Sequence, residues 1–263
     1  MKAGLLDRAE EAYKALRDSA YDTEARLALL ALHERSRDWQ AAADTAAALE
    51  RSGTGSFAQR IAHYHCELAL EAEQRGDTAA AEDALAHAQA VAPQAARPLV
   101  QAAQRHQRLG QTAAALAAYQ ALRAHNPDTL SRLAGDYAAC ALAAGEADTA
   151  RQTLQTLYER QPGIDLLRAL ALLDGTPAGA SPRLLSLLRE QPSLSGVLEL
   201  LDTDPASWPE AARPAVREAV ARTARPQQRY RCAACGFEAQ RHFWQCPGCL
   251  SWDSFPPQRI EEQ

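Results

Sequence analysis

Four cysteines near the end of the chain have the residue type and spacing of a metal site. They form two Cys-x-x-Cys pairs, Cys232 with Cys235 and Cys246 with Cys249, separated by the ten residues from Gly236 to Gln245. A Cys-x-x-Cys turn aims two thiolates at one point, and two facing turns supply the four sulfurs that a tetrahedral metal ion needs. The spacing therefore predicts a tetrathiolate metal site formed by these four side chains.

Other uses of these cysteines fit the sequence less well. A disulfide framework requires an oxidising compartment, and the opening Met1-Lys-Ala-Gly-Leu-Leu-Asp7 is neither a signal nor a transit peptide. One Cys-x-x-Cys alone can serve as a redox dithiol, but two pairs with aromatic neighbours are typical of a metal knuckle pair. Zinc and iron both accept four thiolates, so spacing leaves both metals open. We favour one zinc ion in a structural role, because the ribbon follows a large helical body.

Aromatic side chains are expected to cluster around these cysteines. They are Tyr230, Phe237, Phe243, Trp244, Trp252 and Phe255. A module of about 40 residues cannot fold on an apolar core alone, so a metal would supply the missing stability. The pattern aromatic-x-Cys-x-x-Cys-Gly, then Cys-Pro-x-Cys, resembles a rubredoxin-type ribbon. Such ribbons usually carry glycine after the last cysteine, whereas this chain has Leu250, which predicts a weaker sulfur-shielding turn there.

The composition indicates what kind of body carries this ribbon. The chain has 263 residues, of which 47% are hydrophobic and only 6% aromatic, and alanine is abundant. Alanine-rich sequences suit closely packed helices. The net charge of −5 argues against nucleic-acid binding, and from Pro226 to Gln263 four arginines meet four acidic residues. No run of eighteen apolar residues exists, so the sequence predicts no membrane span.

Internal repetition is the second clear feature. Three similar tracts recur at spacings of 34 and 35 residues: Gly76-Asp-Thr-Ala-Ala-Ala81, Gly110-Gln-Thr-Ala-Ala-Ala115 and Gly145-Glu-Ala-Asp-Thr-Ala150. Each glycine is followed seventeen residues later by a proline: Pro93, Pro127 and Pro162. The glycine predicts the end of one helix and the proline the end of the next. Between them lie small and large apolar residues at turn spacing, such as Ala81 with Leu85 and Ala115 with Tyr119. This pattern resembles the tetratricopeptide repeat.

Further helices extend the repeat in both directions. Upstream, a first helix is predicted from Thr23 to Glu34 and a second from Asp38. The tract Gly4-Leu-Leu-Asp-Arg-Ala9 matches a second helix without its partner, so we expect the chain to begin within a repeat of a longer protein. Downstream the pattern is irregular. The helices predicted there are Ile164 to Leu173, Arg183 to Glu190, Ser195 to Leu201 and Pro209 to Thr223, followed by a linker from Ala224 to Gln228.

The predicted fold class is mainly α: a tetratricopeptide-repeat helical solenoid with a small C-terminal rubredoxin-like tetrathiolate ribbon. The predicted domains are residues 1–225 for the solenoid, with an incomplete first repeat and irregular last repeats, and 226–263 for the ribbon.

No pattern in the sequence predicts catalysis. The run His63-Tyr-His65-Cys66 suggests ligands, but residues two apart on a helix point to different sides, so we expect packed or groove-lining roles. Cys66 and Cys140 lie in apolar helical patterns and are expected to be core residues. The sequence contains no Gly-rich phosphate loop, serine elbow or HExxH motif, so we predict a protein that is not an enzyme.

The combination of repeats and ribbon resembles the lipopolysaccharide assembly protein B family of Gram-negative bacteria. The segments that carry the resemblance are Gly4-Leu-Leu-Asp-Arg-Ala-Glu10, Trp39-Gln40, Ile61-Ala-His-Tyr-His-Cys-Glu-Leu-Ala-Leu70, Arg229-Tyr-Arg-Cys-Ala-Ala-Cys-Gly-Phe237 and Trp244-Gln-Cys-Pro-Gly-Cys249. The resemblance implies the body of an inner-membrane protein on its cytoplasmic side, attached through an N-terminal anchor absent from this sequence. It also implies a scaffold that binds the deacetylase of the lipid A pathway and promotes its degradation by the membrane AAA protease FtsH. Other lipopolysaccharide assembly factors are further implied partners.

Two other functions stay open at this stage. The first is a rubredoxin-type electron carrier that contains iron and uses the helical repeats as a docking body. The second is a nucleic-acid-binding ribbon, which the charge balance disfavours. A homodimer is compatible with every one of these functions.

Overall fold

The computed structural model describes residues 3–17 and 19–262. Met1 and Lys2, which belong to the opening segment interpreted above, lie outside the described residues. Fourteen α-helices precede a two-stranded sheet in the part of the chain that is described. The helices are α1 (Ala3–Ala15), α2 (Asp22–Ser36), α3 (Trp39–Arg51), α4 (Ala58–Gln74), α5 (Thr78–Val91), α6 (Ala96–Arg108), α7 (Thr112–His125), α8 (Pro127–Arg132), α9 (Ala134–Ala144), α10 (Ala147–Arg160), α11 (Ile164–Leu173), α12 (Arg183–Glu190), α13 (Leu194–Leu201) and α14 (Ala212–Gln227).

The sheet is an antiparallel pair, β1 (Tyr230–Arg231) and β2 (Glu238–Ala239), with Tyr230 opposite Ala239. Short 3-10 helices occupy Ala178–Ala180, Pro205–Ser207 and Ile260–Glu262. The predicted mainly α class with a small C-terminal ribbon is confirmed. None of the described helices is both long and apolar enough to cross a membrane.

The helix ends follow the repeat pattern of the sequence. Gly76, Gly110 and Gly145 have φ values of 76°, 68° and 74°, the left-handed conformation that glycine adopts without steric cost. They close α4, α6 and α9. The prolines end the next helices as predicted, because α5, α7 and α10 each stop two residues before one of them. Local residue chemistry therefore sets the bounds of these helices.

Contacts among Cα atoms divide the chain into two compact units, Met1–Glu146 and Ala147–Gln263. In the first unit successive helices pack as pairs, and α4 also contacts α6, the first helix of the next pair. Ala81 and Ala115 are completely buried, and Leu85 and Tyr119 fill the space beside them, as the sequence predicted. The Tyr119 hydroxyl donates to the Gln107 side-chain oxygen at 2.8 Å, which satisfies the polar end of a buried ring.

The second unit has its own apolar core. Leu184, Leu188 and Val197 belong to a buried cluster contributed by α11, α12, α13 and α14. Gly179 packs so closely on α13 that a Cβ atom there would lie 2.0 Å from the Glu199 carbonyl oxygen. The loop between α11 and α12 therefore belongs to the packed body. Helices α11 and α12 have the bounds that the sequence predicted.

The predicted linker between body and ribbon is wrong for residues 224–227. The last helix begins at Ala212, later than expected, and continues through Gln227 with Pro226 inside its final turn. Gln228 N–H donates to the Ala224 carbonyl at 3.0 Å, so the backbone stays helical past the proline. Proline removes one donor, and a final turn tolerates that loss better than a helix interior does. The domain boundary at 225/226 stays a prediction.

Candidate metal centre

Two equivalent turns build the ribbon. In the first, Gly236 N–H donates to the Cys232 carbonyl at 2.9 Å; in the second, Leu250 N–H donates to the Cys246 carbonyl at 2.8 Å. The φ values of Gly236 and Leu250 are 78° and 61°, so both turns end in left-handed backbone. The second turn closes even though a leucine occupies the glycine position. Leu250 in place of glycine therefore strains the backbone of the second turn but does not prevent the turn from forming.

The turns bring all four predicted ligand side chains together. Their Sγ atoms lie within 4.8 Å of one another. Cys232 Sγ is 3.8 Å from Cys249 Sγ, and Cys235 Sγ is 3.7 Å from Cys246 Sγ. Metal–sulfur bonds of about 2.3 Å at tetrahedral angles place neighbouring sulfurs roughly 3.8 Å apart. The four cysteines thus fit a single tetrahedral metal ion.

The two turns present their cysteines to different surroundings. Cys232 and Cys246, the first cysteine of each pair, are buried beside Phe255, and Tyr230 and Phe243 pack against them. Their partners Cys235 and Cys249 lie nearer the solvent. This small cluster is the whole apolar core of the ribbon among the described residues. A cluster of this size stabilises little by itself, which agrees with a fold that depends on a metal.

Hydrogen bonds lower the pKa of two thiols. The Ser254 hydroxyl, assisted by backbone N–H groups and opposed by burial, lowers the pKa of Cys232 to about 6. The hydroxyl and backbone N–H of Ser251 lower the pKa of Cys249. A hydroxyl that turns to donate to sulfur favours the thiolate, which is the form that binds a metal.

Cys235 shows the opposite shift. The backbone at Phe237 acts to lower its pKa, but the sulfur of Cys249, burial and the sulfurs of Cys246 and Cys232 together raise it to about 12. Four thiolates crowded into this space repel one another, so a cation is needed before all four lose their protons. The donor set therefore suits a divalent metal ion.

The expected aromatic cluster is only partly correct. Three of its side chains pack near the sulfurs, as described above. Trp244, Trp252 and Phe237 are instead 71%, 68% and 40% exposed. In so small a ribbon, only the side chains that point toward the sulfurs are buried. Trp252 pairs with Gln245 across an isolated antiparallel bridge, away from that interior.

Three residues near the site were missed by the sequence analysis. Ser254 Oγ lies 3.2 Å from Cys232 Sγ and Ser251 Oγ lies 3.4 Å from Cys249 Sγ. The His242 ring packs against Tyr230 and places Nε2 3.0 Å from the Phe255 carbonyl oxygen. The only available signal was a Ser-x-x-Ser spacing just after the last cysteine. Spacing alone does not indicate that this segment folds back onto both turns.

The other candidate ligands do not form a site. His63 is exposed, whereas the His65 ring lies 4.3 Å from the His87 ring, centroid to centroid. Cys66 and Cys140 are buried, as expected for core residues. Among the described side chains, the four ribbon cysteines are the one group of three or more His, Cys, Asp or Glu ligands close enough to share an ion.

The chain consists of repeated helix pairs followed by a ribbon with four clustered sulfurs. These features define a helical-repeat protein with a C-terminal metal-binding ribbon. Residues 230–257 match a family described as the rubredoxin metal binding domain. "Lipopolysaccharide assembly protein B" of Escherichia coli (strain K12) is 28% identical over 271 residues, which is 98% of this chain and 69% of that protein. The protein of the same name from Haemophilus influenzae is 23% identical and aligns over 100% of this chain and 68% of its own length.

Among solved structures, the crystal structure of a thermophilic TPR protein from Thermus thermophilus covers 65% of this chain and 92% of its own. It is 21% identical, with a TM-score of 0.34. The relatives from Escherichia coli and Haemophilus influenzae confirm the resemblance that the sequence predicted. Over nearly its whole length, the chain is similar to proteins named lipopolysaccharide assembly protein B.

Proposed function

We propose that this chain is a non-enzymatic adaptor that regulates lipopolysaccharide biosynthesis on the cytoplasmic face of the inner membrane. The repeats would bind the deacetylase of the lipid A pathway, and the complex would promote degradation of that enzyme by the membrane protease FtsH. The observation that carries the proposal is the alignment with relatives named lipopolysaccharide assembly protein B, which covers 98% of the chain and includes both repeats and ribbon.

The chemistry of the ribbon supports an adaptor rather than an enzyme. Four cysteines complete the coordination shell of a tetrahedral ion, whereas catalytic zinc sites keep one position for water or substrate. A closed site stabilises a fold and offers no position for a reaction. The ligands proposed for one zinc ion are Cys232, Cys235, Cys246 and Cys249. Metal analysis of the purified chain would test this choice, because iron with a reversible visible absorbance would instead favour the electron carrier.

Ion pairs between neighbouring repeats hold the helices that would contact a protein partner. Arg60 of α4 bonds Glu34 of α2 at 2.6 Å, and Arg97 of α6 bonds Glu67 of α4 at 2.6 Å. Each ion pair joins the first helices of neighbouring repeats. Helical-repeat proteins bind partners along the face formed by such first helices. Fixing the spacing of these helices would preorganise that face for binding.

The ribbon would support partner binding by holding the end of the helical body in a fixed conformation. After the last cysteine, the chain returns so that Ile260–Glu262 contacts α14. Ile260 N–H also donates to the Arg229 carbonyl at 2.8 Å, just before β1. A metal that holds both turns would fix this return path against α14. Losing the metal would then loosen the end of the helical body and weaken partner binding.

The test is equilibrium binding of the purified chain to the lipid A pathway deacetylase. We expect the wild-type chain to bind and the variant Cys232→Ser/Cys235→Ser to bind at least tenfold more weakly. Cys140→Ala is the matched control, because it removes a cysteine outside the ribbon and should keep wild-type affinity. No binding by the wild-type chain would refute the proposed partner. Equal binding by the double variant would refute the role of the metal ribbon.

A further inference from the structure

A short segment after the last cysteine closes over both turns of the ribbon. Cys246 N–H donates to the Ser251 carbonyl at 2.9 Å, and Ala233 N–H donates to the Ser254 carbonyl at 2.7 Å. Residues 251–254 are thereby tied to the second turn at one end and to the first turn at the other. The backbone of this segment is therefore held close to both cysteine turns.

Two serine hydroxyls in this segment face two different sulfurs. Ser254 Oγ is 3.2 Å from Cys232 Sγ, and Ser251 Oγ is 3.4 Å from Cys249 Sγ. These sulfurs come from different cysteine pairs and lie 3.8 Å apart. The two hydroxyls therefore flank one edge of the four-sulfur group, on both of its turns.

The direction of these hydrogen bonds follows from the chemistry of metal-bound cysteine. A metal-bound cysteine is a thiolate and has no proton to donate, so the hydroxyl must be the donor. The Ser254 hydroxyl in this structure donates to the Ser251 carbonyl at 3.2 Å. That carbonyl also accepts the Cys246 N–H, so it keeps a partner when the hydroxyl turns to sulfur. Donation to sulfur thus leaves no backbone group unsatisfied.

We propose that Ser251 and Ser254 are positioning residues of the metal site, which donate hydrogen bonds to the metal-bound thiolates of Cys249 and Cys232. The inference rests on the metal site proposed above. Four thiolates around a divalent ion leave two negative charges, and donors to sulfur spread that charge. The hydroxyls would raise metal affinity and make the two sulfurs weaker electron donors to the metal.

Cobalt is a suitable probe, because its bonds to thiolates absorb light at energies that report electron donation by sulfur. The variants Ser251→Ala and Ser254→Ala are loaded with Co²⁺ in the full chain and titrated with a competing chelator. We expect each variant to bind Co²⁺ about tenfold more weakly, the lower end of outer-shell effects on metal affinity. Its sulfur-to-cobalt band should move to longer wavelength, because a thiolate without its donor gives up electrons more easily.

Two matched variants separate hydrogen bonding from packing. Ser254→Thr keeps the hydroxyl and should retain wild-type affinity and band position. Ser207→Ala removes a hydroxyl from the 3-10 helix Pro205–Ser207, outside the ribbon, and should change neither quantity. A lower affinity with an unmoved band in both alanine variants would overturn the proposal, because a packing defect alone gives that result.

The outcomes also separate this inference from the metal site on which it rests. In one outcome, the wild-type chain binds Co²⁺ through four thiolates and both alanine variants are indistinguishable from it. That result would overturn the role of the serines and leave the metal site standing. A wild-type chain that binds no Co²⁺ would overturn the metal site, and the role of the serines with it.

Discussion

Leu250 adopts a backbone conformation that suits glycine. Its φ of 61° is left-handed, and its side chain is 67% exposed, so it gains little packing in return. Left-handed backbone costs a residue with a Cβ atom about 1 kcal/mol. Leu250→Gly should therefore raise the free energy of unfolding of the metal-loaded ribbon by about 1 kcal/mol. Denaturant unfolding followed by tryptophan fluorescence measures this change, because Trp244 and Trp252 lie in the same ribbon.

The first turn supplies the reverse experiment. Gly236 holds the equivalent position with a φ of 78°, and a Cβ atom there would meet no other atom within 4 Å. Gly236→Leu should lower the free energy of unfolding by about 1–2 kcal/mol through backbone strain alone. If the two exchanges, Gly236→Leu and Leu250→Gly, change stability in the same direction, left-handed strain is not what distinguishes these positions.

At the scale of elements, a three-residue network joins α2 to α4. Tyr64 donates to Glu34 Oε1 at 2.5 Å, and Arg60 bonds the same oxygen at 2.6 Å. Burial, with the hydrogen bond to Glu34, raises the pKa of Tyr64 to about 12. Burial acts to raise the pKa of Glu34, but the bonds from Arg60 and Tyr64 outweigh it and lower that pKa. The folded state therefore favours neutral Tyr64 beside ionised Glu34.

This network predicts a pH-dependent effect of Tyr64→Phe. At pH 7 the loss of a bond to a carboxylate should lower the free energy of unfolding by about 1–2 kcal/mol. Tyrosine ionises near pH 10 in the unfolded chain, so the contribution of Tyr64 is complete below pH 10 and is lost as pH rises toward 12. Urea unfolding at pH 7 and pH 11.5 should show the difference between wild type and variant shrinking. A difference that stays constant would contradict the hydrogen bond from neutral Tyr64 to ionised Glu34.

Arg105 of α6 is buried and links its helix to α4 and α5. Its guanidinium donates to the Thr78 carbonyl at 2.8 Å and lies 3.8 Å from carboxylates of both Glu73 and Glu82. The side chain of Glu73 is 21% exposed, whereas that of Glu82 is 74% exposed. The less exposed carboxylate, Glu73, should stabilise the fold more than Glu82 does. Solvent screens the attraction between Arg105 and the exposed Glu82.

These two carboxylates form a matched pair of variants. Glu73→Ala should lower the free energy of unfolding by about 2 kcal/mol, since it leaves Arg105 buried with one fewer partner. The variant also removes the pair between Glu73 and Arg108 at 2.8 Å, but the Arg108 side chain is 64% exposed, so that pair contributes little. Glu82→Ala should change it by less than about 0.5 kcal/mol. Thermal or urea unfolding measures both. Equal effects would mean that exposure does not govern the strength of these ion pairs.

The sequence predicted the elements whose ends depend on neighbouring residues. Gly76 and Gly110 end helices by their own backbone preference, and Cys-x-x-Cys spacing fixes a turn without reference to the rest of the fold. The extension of α14 past Pro226 was missed, because proline usually ends a helix, whereas a final turn tolerates the loss of its N–H donor. The serines Ser251 and Ser254 were missed because they reach the sulfurs only after the chain folds back.

At the scale of the whole molecule, helices and ribbon depend on different sources of stability. The helical parts contain buried apolar clusters built mainly from leucine and alanine. The buried cluster of the ribbon consists of Cys232, Cys246 and Phe255. Apolar burial stabilises the helices directly, whereas a ribbon with so little of it relies on its metal.

Metal removal should therefore unfold the ribbon selectively. We expect a strong chelator to leave the helical circular dichroism signal nearly unchanged, while backbone amides of residues 230–257 lose their protection from hydrogen exchange. Lowering the pH should have the same effect, because binding requires four thiolates and protons compete with the metal for them. The raised pKa of Cys235, caused by the neighbouring sulfurs, keeps this thiol protonated without metal, so it gives up a proton on binding and metal affinity should rise with pH through the neutral range. A chelated chain whose ribbon amides stay protected would show that the ribbon folds without metal.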